Sequence, residues 1–228
     1  MQTLSKEGNI VNILVLCDDQ WHPADVVKGG LEPLRAGGFN FHYILETDAE
    51  WQDSLERLLT EYDLLILAKS NRVSAVKEQP WLTAQTGGLL QRYVSAGGGL
   101  LVLHSGTIGY RDIEDVRGLV GGVFHHHPEQ CPVTVEPVQD TEITRGVQAF
   151  TLQDEHYFMD MTDQSEVNIF MVTRSEYGEQ PGGWTRTEGE GRVCVLTPGH
   201  NLAVWLHPGY QQLLRQALTW TASAPKGE

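Results

Sequence analysis

The N-terminal half of the chain alternates short apolar runs with segments whose apolar residues recur at helical spacing. The apolar runs predict four strands, at residues 11–16, 39–45, 63–68 and 100–103. Helices are predicted at residues 24–36, from residue 51 after a capping box at residues 47–50, and at residues 81–96. Strands that alternate with helices indicate right-handed crossovers and a parallel sheet.

The C-terminal half has more strand-like segments. Strands are predicted at residues 131–136, 167–172, 184–186 and 192–196, and a final helix at residues 209–223. The apolar stripe of that helix ends at Thr221, where it turns polar. The pattern predicts one domain over residues 1–228. It is expected to be an α/β, flavodoxin-like three-layer sandwich with a mainly parallel central sheet and a β-rich second half.

The amino-acid composition disfavours several classes of binding partner and location. With 30 acidic against 16 basic residues, the net charge of −14 disfavours binding to nucleic acid or anionic lipid. The N-terminus lacks the pattern of a secretory signal, and no apolar run approaches the length of a spanning helix. Cys17, Cys131 and Cys194 form neither a disulfide framework nor a metal motif, and we expect reduced core thiols. A cytoplasmic location is expected.

Histidines follow three of the predicted strands. Asp19 and His22 come after the first, His104 and Ser105 after the fourth, and His200 after the strand that ends near residue 196. Open parallel sheets bind ligands at the carboxyl ends of their strands. The sequence therefore predicts a site at this edge, with Asp19, His22 and Ser105 contacting the substrate.

His104-Ser105-Gly106 follows a glycine-rich turn and an apolar strand, as in a nucleophile elbow. However, Leu103 and Thr107 occupy the positions where that pattern requires glycine. Ser105 activated by His200 is therefore one hypothesis, and a Ser105 that only caps a turn is the other.

Two further segments carry candidate chemistry. Residues 121–128 read as a loop with three adjacent histidines, of which His127 is expected to face inward because Pro128 restricts the backbone. Glu155 lies beside His156 in an acidic and aromatic segment. His104, His127, Glu155 and His200 together predict a divalent metal site, zinc above others. His104, Glu155 and His200 are the predicted acid–base residues.

Aromatic side chains could provide stacking surfaces for a sugar ring. Trp184, together with Trp21 and Trp205, is a candidate for this role, although each could equally be a packing residue.

The order of several short motifs resembles that of the ThuA-like (trehalose-utilisation) family, within the class I glutamine amidotransferase-like superfamily. The resemblance spans residues 11–222 and is carried by these segments: GGGLLVLHSGT (97–107), GGVFHHHP (121–128), EITRG (142–146), DEHY (154–157), WTR (184–186), GEGRV (189–193), GHN (199–201) and HP (207–208). It departs from the family at Thr141-Glu142, where the family often has His-Pro. His22, His104, His127, Glu155 and His200 match the family's recurrent polar residues.

The resemblance implies a glutamine amidotransferase-like fold and a link to trehalose or a related disaccharide or keto-sugar. It does not imply glutamine hydrolysis, since that activity needs a cysteine at the elbow and this chain has His104-Ser105 there. Three functions stay open: an enzyme with acid–base or metal-assisted chemistry, a sugar-binding or regulatory protein without catalysis, and a serine hydrolase. A homodimer is expected because two-fold assemblies are the commonest.

Overall fold

A computed structural model describes residues 10–45, 51–73, 77, 79–162 and 166–223. The predicted capping box at residues 47–50 lies outside these residues. Eleven strands are described within them. In chain order they are β1 (Val11–Cys17), β2 (Phe39–Ile44), β3 (Leu64–Ala68), β4 (Gly99–Leu103), β5 (Gly122–His126), β6 (Cys131–Pro137), β7 (Phe150–Asp154), β8 (Phe158–Met161), β9 (Asn168–Ser175), β10 (Gly178–Glu188) and β11 (Gly191–Leu196).

Nine of these strands form one mixed sheet in the order β2-β1-β3-β4-β11-β10-β9-β6-β7. The pairs from β2 to β11 are parallel, and the pairs from β11 to β7 are antiparallel. The α/β class is confirmed. The expectation of a mainly parallel sheet holds for one half only, since the β-rich second half extends the same sheet with antiparallel strands. Strands β5 and β8 pair separately.

Helices cover both faces of the sheet. They are α1 (Ala24–Leu31), α2 (Trp51–Glu61), α3 (Gly88–Ser95), α4 (Glu114–Val120), α5 (Leu202–Trp205) and α6 (Pro208–Ala222). Alternate residues of β1 enter opposite cores: Ile13 and Val15 pack with α1 and α6, whereas Leu14 and Leu16 pack with α2, α3 and α4. A strand buried on both faces therefore needs the continuous apolar run that the sequence shows.

Two predicted helices are shorter than expected. The prediction at residues 24–36 is wrong in its second part, because α1 ends at Leu31 and a 3-10 helix with Pro33 near its start runs on to Gly37. The prediction at residues 81–96 is wrong before Gly88. There, the Asn71 side chain bonds both backbone polar groups of Leu82, so this segment folds as a turn.

The structure also corrects a prediction for the second half of the chain. Residues 122–126, expected in a loop, form strand β5 because they pair with β8. Thr221, the polar residue that ends the apolar stripe of the last helix, is fully buried, and its hydroxyl donates to the Ala217 carbonyl. The three cysteines are free and buried, as predicted. No helix among the described residues is both long and apolar enough to cross a membrane.

Candidate metal and acid–base site

The candidate site lies where β1, β4 and β11 end. His22 follows β1, His104 begins a 3-10 helix directly after β4, and His200 follows β11. Glu155 follows β7, in the connection to β8. The ends of β1, β4 and β11 lie at one edge of the parallel half of the sheet, and they bring together side chains that are 178 positions apart in the sequence, from residue 22 to residue 200.

The turn after β4 places His104 through an unusual backbone conformation. His104 has a positive φ of 43°, which is uncommon for a residue other than glycine. Gly106 makes the turn feasible, because a Cβ at this position would lie 2.0 Å from the Leu67 carbonyl oxygen. The His104 ring is buried, and its Nδ1 donates to the Thr197 carbonyl oxygen at 2.8 Å. This bond fixes a proton on Nδ1 and leaves Nε2 directed at Glu155.

Asp19 orients His22 in the same way. Its Oδ1 accepts a 2.9 Å hydrogen bond from His22 Nδ1, and its Oδ2 accepts one from the Ser70 backbone N–H. Burial opposes ionisation of Asp19, but the hydrogen bonds from His22 and from the backbone N–H groups of Ser70 and Trp21 outweigh it, so the pKa of Asp19 lies below the usual range. Burial lowers the pKa of His22. A carboxylate that holds Nδ1 of a neutral imidazole is a common partner of metal-binding histidine.

Glu155 lies between the imidazole rings of His104 and His200. Its Oε2 is 3.4 Å from His104 Nε2, and its Oε1 is 3.2 Å from His200 Nδ1. Burial raises the pKa of Glu155, but the His104 and His200 rings favour the carboxylate more strongly, and the net pKa lies well below its usual value. Glu155 in turn raises the pKa of His200. Glu155 is therefore an ionised carboxylate.

His22, His104, Glu155 and His200 each offer a ligand atom, and these four atoms lie within 4.8 Å of one another. His22 Nε2, His104 Nε2 and His200 Nδ1 are buried without a hydrogen-bond partner among the described residues. A tetrahedral zinc ion, with bonds of about 2.0–2.1 Å, would separate its ligand atoms by roughly 3.3–3.4 Å. The 3.2 and 3.4 Å separations, each to a different oxygen of Glu155, are close to that spacing, whereas the four ligand atoms together lie within a wider 4.8 Å.

A cavity of about 490 Å³ opens onto this cluster. Its polar part includes Asp19, His22, Glu155 and His200. The rest is largely aromatic and aliphatic, with one arginine; its lining residues include Trp21, Arg72, Ile108, Phe124, His127 and Tyr157. The size and mixed lining suit a small polar ligand with an apolar face.

His127 lies at the cavity but outside the group of four. Its Nε2 is 3.7 Å from Glu155 Oε1, its side chain is 34% exposed, and its Nδ1 donates to the Pro128 carbonyl oxygen. His22, expected to contact the substrate, takes the place among the four possible metal ligands that the sequence suggested for His127. Pro128 does restrict this segment, but β5 ends at His126 and leaves His127 at the rim.

Two residues expected to contact substrate do not line the cavity. Trp184 is fully buried in the core, and its Nε1 donates to the Val120 carbonyl oxygen, so the expectation of a stacking surface is corrected. Trp205 is likewise a core residue. Ser105 is buried and, within the described residues, its hydroxyl makes no hydrogen bond to a histidine. Trp21, by contrast, is 67% exposed at the cavity.

Sequence reasoning missed two residues of the site. Asp154 is buried, and its carboxylate accepts the backbone N–H groups of Gly199 and His200, which fixes the loop that carries His200. Tyr157 is buried against His104, with ring centroids 4.1 Å apart. Both lie in the Asp154–Tyr157 segment that the sequence singled out, but a carboxylate that binds a backbone leaves no local sequence signal.

Comparison with known proteins agrees with this architecture. Residues 13–221 match the model of the ThuA family, described as trehalose utilisation. Two similar solved structures are putative ThuA-like proteins. The one from Bacteroides uniformis has a TM-score of 0.74 and 18% identity, covering 99% of this chain and 97% of that chain. The one from Parabacteroides merdae has a TM-score of 0.73 and 16% identity, covering 96% and 92%.

A cytoplasmic protein from Salmonella typhimurium is also similar in structure, with a TM-score of 0.64 and 12% identity, covering 92% of this chain and 98% of that chain. At such identities these structures support the fold alone. No curated protein matches the sequence. The family match covers most of the 228 residues, and the chain therefore belongs to the ThuA, or trehalose utilisation, family.

Proposed function

We propose that His22, His104, Glu155 and His200 bind a divalent metal, zinc above others, and that the protein is an enzyme of carbohydrate utilisation. The observation that carries the metal proposal is the convergence of three buried ring nitrogens, none of which makes a hydrogen bond among the described residues, on an ionised carboxylate. Buried polar atoms without a partner are rare in native proteins, and an ion is one of the standard explanations.

The donor set fits zinc. Imidazole nitrogen and carboxylate oxygen are ligands that zinc uses in catalytic sites, and the Asp19 and Thr197 acceptors hold two rings in the tautomer that binds metal through Nε2. Such an ion would polarise a substrate oxygen and lower the pKa of bound water. The aromatic wall and the rim residue His127 would then position the substrate and exchange protons with it.

A small sugar, or a keto derivative of one, is the proposed substrate class. Trp21 presents an exposed ring at the cavity, on which the apolar face of a sugar can stack, and the polar part offers partners for hydroxyl groups. The family's link to trehalose utilisation points the same way. The reaction class is acid–base chemistry assisted by the metal, within which hydrolysis, isomerisation and hydration are the candidates.

We also propose a flavodoxin-like fold for the parallel half of the sheet, a cytoplasmic location and a homodimeric assembly. The parallel half has the strand order 2-1-3-4-11, which supports the flavodoxin-like assignment. A cytoplasmic location draws support from the three free, buried cysteines, which suit a reducing compartment. A homodimer is the expected assembly.

The proposed enzymatic function is tested by measuring the conversion of candidate sugars. Trehalose and its keto derivatives would be incubated with zinc-loaded and chelator-treated protein and followed by proton NMR. We expect conversion only with the metal, and its loss in His104→Ala but not in His42→Ala, which removes an exposed histidine of β2. Saturable sugar binding without conversion would contradict the enzyme proposal and favour a binding or regulatory protein.

A further inference from the structure

Tyr157 is a buried polar residue at the cavity that the proposed chemistry leaves without a role. Its residue is 1% exposed, its ring lines the cavity, and its hydroxyl has no hydrogen-bond partner in the part of the chain that the structure describes. A buried hydroxyl without a partner destabilises the fold, so such a group calls for a physical explanation.

The ring is held firmly in place. It stacks on His104 with centroids 4.1 Å apart and an interplanar angle of 23°, contacts Phe124 at 4.5 Å, and stacks on His127 at 5.9 Å. Tyr157 therefore lies between one of the proposed metal ligands and the rim histidine. Three neighbours that fix one aromatic ring give its hydroxyl a defined position, which is what a preorganised hydrogen-bond donor needs.

A tyrosine phenol is neutral at physiological pH, so the hydroxyl of Tyr157 can donate one proton into a hydrogen bond.

We propose that the Tyr157 hydroxyl donates a hydrogen bond to an oxygen of the ligand bound at the His22–His104–Glu155–His200 cluster. This inference rests on the proposed function and deepens it. A fixed neutral donor beside a cationic centre favours ligands that present a carbonyl or anionic oxygen over those that present only hydroxyl groups. The favoured substrate class is therefore a carbonyl-bearing sugar, not a fully reduced one.

The test uses acetohydroxamate, a small chelating ligand with anionic oxygens, and cobalt as a coloured replacement for zinc. Wild-type protein, Tyr157→Phe and Tyr93→Phe would be loaded with cobalt and titrated with acetohydroxamate in the visible spectrum. Tyr93 is the control because its hydroxyl contacts Gly99, at the opposite end of β4.

We expect Tyr157→Phe to bind cobalt as the wild type does but to bind acetohydroxamate about tenfold more weakly, with Tyr93→Phe unchanged. Equal acetohydroxamate affinity in all three proteins would overturn the inference and leave the metal proposal intact. Loss of cobalt from Tyr157→Phe alone would also overturn it, by showing that the hydroxyl acts through Glu155. A wild type that binds no cobalt would refute the proposed function and, with it, this inference.

Discussion

Asp19 and His22 form a buried carboxylate–imidazole pair, with Asp19 Oδ1 2.9 Å from His22 Nδ1 and both side chains nearly inaccessible to solvent. The two residues are three positions apart, in the loop that leaves β1. Because Asp19 also accepts a hydrogen bond from the Ser70 backbone, it links the ends of β1 and β3 while directing His22 Nε2 toward the other ligands.

Asp19→Asn is expected to weaken zinc binding by about 10- to 100-fold. The amide is neutral, so it stabilises the metal-binding form of His22 less well, and one of its two ends would present N–H groups where Asp19 now only accepts. The dissociation constant would be measured by competition with a chelator. Asp25→Asn, in the exposed first turn of α1, is the matched control and should leave the constant unchanged. Equal affinity in both variants would refute the role of Asp19.

Alanine variants distinguish the four ligands proposed from the structure from the four that the sequence suggested. His22→Ala should abolish stoichiometric zinc binding, because the imidazole is buried in the cluster. His127→Ala should retain zinc, since its Nε2 faces Glu155 from the rim and lies outside the group of four. Elemental analysis of the two purified variants checks this. The reverse outcome, loss of zinc only in His127→Ala, would restore the assignment made from the sequence.

The turn at His104 depends on a glycine that has no contact with the proposed ion. Gly106→Ala would place a Cβ 2.0 Å from the Leu67 carbonyl oxygen, and we expect the free energy of unfolding to fall by about 3 kcal/mol or more. Gly118→Ala, in α4 with no atom within 4 Å of the added Cβ, should raise it by roughly 0.5–1 kcal/mol. Denaturant unfolding of both variants gives these values. A Gly106→Ala protein as stable as the wild type would contradict the described turn.

The location of the site could be predicted from the sequence because each relevant strand is a short apolar run followed at once by a polar residue. The runs before His104 and His200 are buried on both faces, so their ends could be placed along the chain. Strand ends in a parallel half meet at one edge, and this is enough to bring His22, His104 and His200 together.

The choice between His22 and His127 could not be made in this way. It depends on the pairing of β5 with β8, two strands 30 or more residues apart, which ends one residue before His127. The role of Trp184 depends on a similar tertiary fact, since its side chain packs on the face of the sheet that α4 covers. Both assignments follow from side-chain direction, and the local sequence does not encode it.

Cys17 predicts a loss of stability at alkaline pH. Burial raises the pKa of its thiol to about 12 from an ordinary value of 9.0. The folded protein keeps the thiol neutral while the unfolded chain ionises, so this stabilisation is complete below pH 9 and is lost as the pH rises toward 12. The loss should approach roughly 1 kcal/mol per pH unit.

Denaturant unfolding across this pH range would be compared between the wild type and Cys17→Ala. The variant carries its packing defect at every pH, so the difference lies in the slope. We expect a shallower decline for Cys17→Ala above pH 9. Identical slopes would show that the thiol of Cys17 ionises equally well in both states, against the observed burial.

The central claim, a metal bound by His22, His104, Glu155 and His200, is tested most directly by the metal content of tag-free protein. Elemental analysis should give close to one equivalent of a divalent metal per chain in the wild type and in His42→Ala, and background levels in His104→Ala and His200→Ala. A wild type that stays metal-free after incubation with zinc, manganese or nickel would contradict the claim.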